Sequence, residues 1–325
     1  MVHTIKIFSD ADENIFKYLE YKFSIKNSKY FNLSQYVGRD GVKLEIKQLN
    51  KRKSKNKIWR IYIFIDVIKL LHRADIVEAD KVIVLENIYD ILSDILPNNL
   101  LDKLDLRLHR FDYRCDKVIE TKEERRLLVK LYNKNEDRKS YMNKIEVFNN
   151  LTKESNKISS LRYQNKSRAC NIYDKEVERD AKCEIVMDYE KAIIRYESQI
   201  KRQHIKYLKK RYGIDDKLEI YFSNAMYNIF MNKVIVSTVG IEDYYNIYHA
   251  RKIINNSSSL TEKKRSDLIK LLINTSLEKD CGFKKSKRNG LIKELKKLGI
   301  NPILIPKHEN IPHLVNPIKD ILKKD

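Results

Sequence analysis

Charged and tyrosine side chains occupy positions in this chain where a buried strand would carry valine or isoleucine. Two segments have this pattern, Leu106–Asp116 (LRLHRFDYRCD) and Leu161–Asp180 (LRYQNKSRACNIYDKEVERD), and Ile193–Arg202 (IIRYESQIKR) follows shortly after the second. We interpret each as containing strand that carries acids, bases and tyrosines. Such strands constrain the fold, because charged side chains need a polar sheet face or a site to occupy.

The chain is strongly basic, with 66 Lys and Arg residues against 45 Asp and Glu residues and a formal net charge of +21. An excess of this size indicates a polyanionic partner, and nucleic acid fits it best. A membrane surface is the main rival, but no segment sets a basic face against a continuous apolar one. The four cysteines lack zinc-ligand spacing, and with no signal-peptide pattern they predict reduced thiols in a cytoplasmic protein.

Hydrophobic periodicity predicts an α+β fold with two domains. Strands are expected at 3–8, 42–49, 59–65, 104–119, 141–147, 161–163, 168–175 and 190–201, the last also compatible with a helix. Helices are expected after Asp66, at 86–96 and 122–134, and through most of the chain from about residue 205. The first domain, residues 1–230, would hold an antiparallel sheet flanked by helices. The second, residues 231–325, would be helical and end in an extended proline-containing tail.

Period two places Arg110, Asp112, Arg114 and Asp116 on one face of the first polar strand, together with two leucines, and His109 on the other. Two carboxylates this close repel unless a cation lies between them, and that cation could be an arginine or a divalent metal. A solvated face with cross-strand ion pairs is the alternative interpretation.

Glu197, in the segment RYESQIK, is the third candidate acid. Oxygen ligands of this kind suit Mg²⁺ or Mn²⁺, which would polarise a scissile phosphate. Arg195 and Lys201 flank this acid and could instead pair with it structurally.

Asn171, Tyr173 and Lys175 would share one face of a strand in NIYDK, with Asp174 opposite. A lysine beside a tyrosine favours the phenolate, so Tyr173 is a candidate nucleophile with Lys175 as its activator. Amphipathic packing is the alternative for any one of the 20 tyrosines.

Basic residues form three clusters, of which the second and third are expected to be helical and to lie on DNA. A solvated helix face is the alternative for each cluster taken alone. The candidate DNA-binding residues are Lys51, Arg52 and Lys53, then Lys201, Arg202, Lys209, Lys210 and Arg211, and then Lys287, Arg288, Lys293, Lys296 and Lys297.

Motifs in a consistent order resemble the rolling-circle replication initiators of phages and prophages, the group around the filamentous-phage gene II protein. More distantly the chain is similar to the initiators of small staphylococcal-type plasmids. The resemblance covers about residues 58–318. The motifs that carry it are IFIDVIKLLHRADI, HRFDYRCD, YQNKSRACNIYDKEVE, IIRYESQIKR, GIEDYYNIYHARKII and LIKELKKLGINPILIPK.

This resemblance implies a metal-dependent DNA nicking-joining endonuclease with an endonuclease-like catalytic domain and a C-terminal DNA-binding domain. A tyrosine would hold the 5′-phosphate of the cut origin strand, and the freed 3′-hydroxyl would prime synthesis. Tyr173 matches the family's YDK tyrosine, and Tyr163 is the second candidate nucleophile. The chain lacks the HxH pair of the wider endonuclease group, so its metal would need carboxylates, of which Asp112 and Glu197 match the family's acidic positions best.

The implied partners are duplex and single-stranded origin DNA, with host helicase and polymerase as further partners, and a homodimer stays open. Two alternatives come from other classes. One is a non-catalytic DNA-binding protein such as a repressor or partition factor, which would need neither a metal nor Tyr173. The other is a structural RNA- or membrane-surface-binding protein, whose binding would be sequence-independent and strongly salt-dependent.

Overall fold

A computed structural model describes residues 1–24, 30–49, 58–134, 143–145, 160–277 and 279–321 of the chain. The fold is α+β, with a large antiparallel sheet flanked by helices, as the hydrophobic periodicity predicts. Among the described residues no helix is both long enough and apolar enough to cross a membrane.

Eight of the eleven strands in the described residues lie at predicted positions, whereas the short strands at 30–32, 244–245 and 313–314 were not predicted. The strands are β1 (Val2–Ala11), β2 (Tyr30–Asn32), β3 (Val42–Leu49), β4 (Ile58–Asp66), β5 (Arg107–Val118), β6 (Asn143–Ile145), β7 (Ser160–Gln164), β8 (Arg168–Asp174), β9 (Ile193–Lys201), β10 (Tyr244–Tyr245) and β11 (His313–Leu314).

The helices are concentrated after β9. They are α1 (Glu13–Lys22), α2 (Val67–Leu71), α3 (Lys81–Ile95), α4 (Asn98–Leu101), α5 (Lys122–Asn133), α6 (Lys175–Ala181), α7 (Arg202–Tyr212), α8 (Leu218–Tyr221), α9 (Asn224–Phe230), α10 (Ser237–Val239), α11 (Ile247–Asn256), α12 (Glu262–Ser276) and α13 (Lys285–Lys297). A π-helical segment, Met231–Val236, follows α9.

The chain divides into two compact units, each assembled from separate stretches of sequence. The first unit contains Met1–Cys115, Gln164–Ala169 and Glu197–Phe230, and the second contains Asp116–Tyr163, Cys170–Tyr196 and Met231–Asp325. The predicted functional boundary after residue 230, between a catalytic and a DNA-binding domain, stays a prediction.

In the first unit the hydrogen-bonded strand order is β2-β3-β4-β1-β5-β9. One face of these strands forms the core, because alternate residues such as Ile5 and Ile7 of β1 and Ile63 of β4 are at most 2% exposed. Helix α1 packs on β1 and β4. Asp12 fixes the start of this helix by accepting a hydrogen bond from the amide of Ile15 at 2.8 Å, as an N-cap residue does.

Two register shifts interrupt the antiparallel pairing of β1 with β5. Val2 pairs with Tyr113, whereas Thr4 pairs with Asp112, so His3 is an extra residue in β1. A second shift lies between the pairs Lys6–Arg110 and Ile7–Leu108, so His109 is an extra residue in β5. Such β-bulges redirect the side chains beside them.

Because of the second bulge, the side chains of residues 106–116 do not alternate strictly between the two faces of the sheet, whereas the sequence pattern predicts strict alternation. Leu108 and Phe111 are both fully buried in the core, with two polar residues between them instead of one. His109 therefore does not lie opposite Asp112; it contacts Phe8 and Tyr62 on the polar side of the sheet.

The second unit contains the helical core of the C-terminal region. Helices α11, α12 and α13 bury an apolar cluster that includes Ile254, Leu268, Leu271 and Leu295. The proline-containing tail is fixed by the fully buried Asn316, whose side chain accepts a hydrogen bond from the Tyr132 hydroxyl at 2.9 Å and donates to the carbonyls of Gly240 and Glu242 at 3.2 Å.

Candidate active site and cationic sheet face

Asp112 and Arg110 form the centre of a buried polar cluster in the first unit. Nε of Arg110 lies 2.9 Å and 3.0 Å from the two carboxylate oxygens of Asp112, and Nη2 donates to Oδ2 as well. Gln199 of β9 completes this group, because its amide oxygen, when turned toward Arg110, accepts from Nη2 at 2.6 Å and from Nε at 3.0 Å. In the opposite amide orientation, Nε2 of Gln199 would instead donate to Oδ2 of Asp112 at 3.4 Å.

Glu197 belongs to the same cluster. It lies two residues before Gln199 on β9 and therefore on the same face of the strand. Nδ1 of His3 is 2.8 Å from Oε1 of Glu197, and the bulge in β1 places His3 within reach of it. The structure thus brings the predicted acids Asp112 and Glu197 onto one face and adds His3, which the sequence did not single out.

Electrostatics within this cluster favour a proton on Asp112 more than on an ordinary aspartate. Burial raises the pKa of the Asp112 carboxyl and the negative charge of Glu197 raises it further, whereas Arg110 and His3 act against the shift. In the part of the chain that the structure describes, no three His, Cys, Asp or Glu side chains are grouped in a way that could hold a metal ion.

Asp116, the other predicted acid of β5, lies in the second unit. Arg195 of β9 binds it through two hydrogen bonds, from Nε to Oδ1 at 2.8 Å and from Nη2 to Oδ2 at 2.9 Å. Arg195 is only 1% exposed. Because such a bidentate contact stabilises a buried arginine, Asp116 can have the structural role of neutralising Arg195.

Tyr173 and Lys175 do not share a strand face, because β8 ends at Asp174. The Asp174 side chain accepts hydrogen bonds from the amides of Glu176 and Val177 and so caps α6, of which Lys175 is the first residue. Nζ of Lys175 lies 5.9 Å from the centre of the Tyr173 ring.

Two carboxylates share the charge of Lys175. Its Nζ donates to Glu178 Oε2 at 2.6 Å and lies 3.5 Å from Glu190 Oε1. Lys175 therefore acts on Tyr173 as one part of an ion network rather than as a lone cation.

Tyr163, the second candidate nucleophile, lies on β7 and is 1% exposed, whereas Tyr173 is only partly buried. A buried phenol cannot reach a phosphodiester without local rearrangement. Tyr173 is therefore the better placed of the two.

The predicted cations of β9 and α7 are for the most part engaged within the first unit. Lys201 donates to Asn165, Arg202 donates to Asp216 Oδ2 at 2.5 Å and to the Leu108 carbonyl at 2.7 Å, and Lys209 donates to Asp215 and Asp216 at 2.7 Å. Lys210 and Arg211 are exposed at the end of α7.

Helix α13 retains exposed cations, as the basic pattern predicts. Lys293 and Lys296 are exposed, whereas Lys287 pairs with Asp267 at 2.8 Å and Lys297 pairs with Glu294 at 3.0 Å. Arg288 is partly buried. The predicted DNA-binding residues Lys51, Arg52 and Lys53 lie outside the described residues.

A second set of cations in the first unit includes several that were not anticipated from the sequence, although Arg110 and Arg202 were. Its members lie on the polar side of the sheet and at the start of α7, and several cover aromatic rings. We call it the cation–aromatic cluster; it consists of Lys6, Lys47, Arg60, Arg107, His109, Arg110 and Arg202 with the rings of Phe8, Tyr62 and Phe64.

The aromatic rings hold the cations of this cluster in place. Nζ of Lys6 lies 4.2 Å from the ring centre of Tyr62 and 3.9 Å from that of Phe64. The guanidinium carbons of three arginines lie 4.3 to 4.9 Å from the ring centre of Phe8. The alternation of cations with aromatics in KIF and RIYIF was the available signal, since alternate residues of a strand share a face.

The chain matches no known protein family model, and the search of curated proteins likewise returns no match.

Proposed function

We propose that the protein is a metal-dependent DNA nicking-joining endonuclease that initiates rolling-circle replication. The observation that carries the proposal is the meeting of Asp112 and Glu197 on one polar face of a strongly basic protein. Cations of the same unit lie beside them, since Arg110 interacts electrostatically with both Glu197 and Lys6. Carboxylates flanked by cations suit a phosphodiester whose charge must be neutralised during cleavage.

Asp112 and Glu197 are the residues that would hold Mg²⁺ or Mn²⁺ as oxygen ligands. A bound divalent cation would draw negative charge from the scissile phosphate. The donor set suits a hard cation, but Arg110 already binds both oxygens of Asp112. Arg110 would have to release one of these oxygens, and it is exposed enough, at 38% of its side chain, to turn toward solvent.

Tyr173 would be the nucleophile. Its phenolic oxygen would form a bond to phosphorus while the bond from phosphorus to the 3′-oxygen breaks, and the phenolic proton would pass in net terms to the 3′-oxygen. The products would be a 5′-phosphotyrosine and a free 3′-hydroxyl, and the reverse reaction would rejoin a strand. Lys175 would favour the phenolate through its charge, within the ion network that it shares with Glu178 and Glu190.

A non-catalytic DNA-binding protein is the second candidate. The observation that favours it is the saturation of the polar groups by protein partners: Arg110 binds Asp112, and Arg195 binds Asp116. Such a protein would use the cations of the fold without a metal and without Tyr173.

The deciding experiment is incubation of the full chain with a supercoiled plasmid library and Mn²⁺, followed by denaturation and mapping of covalent protein–DNA adducts. Glu197→Gln should bind DNA and form no adduct, whereas Glu219→Gln, which removes an exposed carboxylate of the same unit, should behave as the wild type. A wild-type protein that binds DNA but forms no adduct with Mg²⁺ or Mn²⁺ would leave the non-catalytic candidate.

A further inference from the structure

Lys6 lies in a local excess of positive charge that the acids among the described residues do not balance. Within the described residues no carboxylate lies at ion-pair distance from Nζ of Lys6, which instead rests against two aromatic rings. Its cross-strand neighbours are Phe64 on one side and Arg110 on the other. Among the described residues the charge of this half-buried lysine has no carboxylate partner, so an anionic ligand would be favoured here.

The acids beside the cation–aromatic cluster are already engaged by its other cations. Asp10 binds both Arg60, at 2.6 Å, and Arg107, at 2.9 Å. Glu45 pairs with Lys47 at 2.9 Å. Arg110 and Arg202 of the cluster likewise have carboxylate partners, so within the described residues Lys6 is the charged member of the cluster that lacks one.

His109 adds an unused hydrogen-bonding atom to the same place. Its Nδ1 is buried and has no hydrogen-bond partner among the described residues. The ring lies edge-on between Tyr62 and Phe8, with centroid distances of 5.4 Å and 6.0 Å. A buried polar atom without a partner is costly, so a ligand that supplies one would be favoured.

We propose that Lys6 and His109, with the guanidinium groups of Arg110 and Arg202 beside them, bind a backbone phosphate of a nucleic-acid strand. Lys6 would contribute a compact positive charge, and the partly exposed His109 would contribute a hydrogen bond to a phosphate oxygen after its ring turns to bring the buried Nδ1 to the surface. The assignment of the ligand to nucleic acid rests on the proposed function. The site lies beside the pair Asp112 and Glu197, since Arg110 also binds Asp112, and it would position the strand rather than act on it.

Stacked bases are excluded from the inner part of this site. The rings of Phe8 and Tyr62 are buried and already carry cations over them. A strand would therefore be held here through its phosphates and not through its bases, so the contact would carry no sequence preference.

The electrostatics of the free protein agree with a missing anion. Burial lowers the pKa of Lys6 to about 8, with Lys47 and Arg110 acting in the same direction and Glu45 against them. Burial also lowers the pKa of His109 to about 4, reinforced by the charges of Lys6, Arg202, Arg60 and Arg110. A bound phosphate would raise both values, because it stabilises the protonated forms.

The test is binding of a fluorescent oligothymidylate and of an abasic strand of equal length by the full chain, without a divalent metal. Lys6→Gln should weaken both by about tenfold and lower the salt slope by about 0.7, the value for one phosphate contact on a single strand. Lys17→Gln is the matched control, because Lys17 is an exposed lysine of α1 paired with Glu13. It should change neither quantity.

Two further measurements guard against a merely structural effect of the substitution. As the pH rises through 8, Lys6 of the wild type loses its proton and the affinity for the strand should fall. Lys6→Arg should keep its affinity over the same range, because arginine stays charged. An NMR titration of the wild type, with His109 assigned from His109→Gln, should show that the oligothymidylate raises the pKa of His109 from about 4.

Each outcome decides a separate point. Equal binding by Lys6→Gln and the wild type, or an unmoved His109 pKa, would overturn the phosphate site. Tripolyphosphate serves as a probe for simple anion binding. If the protein bound tripolyphosphate but neither the oligothymidylate nor the abasic strand, the assignment to nucleic acid would be overturned. Strand binding that depends on Lys6, in a protein that forms no covalent adduct, would leave the site intact and overturn only the proposed nicking activity.

Discussion

The side chains of His3 and Glu197 meet at 2.8 Å although 194 positions separate them in sequence (197 − 3) and strand β5 lies between the strands that carry them. The contact passes over β5 beside Asp112, whose carboxyl senses the charges of both residues. The candidate active site therefore draws its polar side chains from three neighbouring strands, with His3 on β1, Arg110 and Asp112 on β5, and Glu197 and Gln199 on β9.

The pair Arg110 and Asp112 should respond unequally to substitution. Arg110→Gln leaves a carboxylate that is only 2% exposed without its cation, and we expect a loss of about 3–5 kcal/mol in the free energy of unfolding. Asp112→Asn leaves an arginine that is 38% exposed and can reach water, so the loss should be roughly 1.5–3 kcal/mol. Urea unfolding of both variants measures the difference.

The pH provides the control for this comparison. A carboxyl whose pKa in the folded protein is raised above its unfolded value stabilises the fold as the pH falls. The loss in Arg110→Gln should therefore shrink in acid, because Asp112 can take up a proton. A loss that is independent of pH would mean that Asp112 is not the group left uncompensated.

Asp116→Asn should destabilise the protein by about 3–5 kcal/mol, because it leaves the buried Arg195 without its bidentate partner. The measurement is thermal or urea unfolding with and without Mg²⁺, and we expect the same loss in both. A double variant, Asp116→Leu with Arg195→Met, should recover part of the stability. Full stability of Asp116→Asn together with lost nicking would instead make Asp116 a metal ligand.

The sequence was sufficient for local structure but not for the contacts that complete the candidate site. Asp66 caps α2 and Gly213 ends α7 with a left-handed φ of 68°, and both signals are local. The contact between His3 and Glu197 has no local signal, because it depends on which strands become neighbours. Asp215 and Asp216, which neutralise Lys209, likewise lie beyond the end of its helix.

The two bulges and the helix that starts at Lys175 differ from the sequence interpretation, but each has a signal in the sequence that the assumption of strict alternation missed. Two polar residues stand between buried apolar ones in VHTI and in LHRF, and this spacing is the mark of a bulge. In NIYDKEVE an aspartate precedes lysine and glutamate, which is typical of a helix start. The helix at Lys175 could therefore have been predicted in place of a continued strand.

Tyr173→Phe should form no covalent adduct on supercoiled DNA while it folds and binds DNA as the wild type does, since only the hydroxyl is lost. Tyr163→Phe is the matched control and should form the adduct, because its ring is 1% exposed and the substitution keeps the packing. Denaturing gels of protein incubated with labelled DNA give the readout. An adduct retained by Tyr173→Phe and lost by Tyr163→Phe would exchange the two assignments.

Glu190 should make the second unit sensitive to acid. Burial alone would raise the pKa of Glu190, but a hydrogen bond from Arg179 and the charge of Lys175 outweigh it and lower the value to about 2. Stability from a carboxyl with a lowered pKa is complete above its unfolded value of 4.5 and is lost as the pH falls toward 2. Unfolding measured across this range should show a smaller loss for Glu190→Gln than for the wild type.

Asp102→Asn is the matched control for this titration, because Asp102 is an exposed carboxylate. Its curve should follow that of the wild type over the whole pH range. Coincident curves for Glu190→Gln and the wild type would show that Arg179 and Lys175 gain nothing from the ionised Glu190.

Helix α13 should contribute phosphate contacts without contributing to catalysis. Replacing Lys293 and Lys296 by glutamine removes two exposed charges, and affinity should fall about equally for all duplex sequences. The slope of log affinity against log salt should fall by about 0.9 for each lost contact. Lys297→Gln is the comparison, since Lys297 is paired with Glu294. An unchanged slope in the double variant would move the duplex-binding surface away from α13.

The two bulges of β1 and β5 compensate each other. Paired residue numbers sum to 115 at Val2–Tyr113, to 116 from Thr4–Asp112 to Lys6–Arg110, and to 115 again at Ile7–Leu108. Losing one bulge alone would shift one end of the pairing by a residue and turn core side chains outward. Relatives of this chain should therefore contain both extra residues or neither. The segment between the two bulges, in which the register is shifted by one residue, would therefore be gained or lost in evolution as one unit.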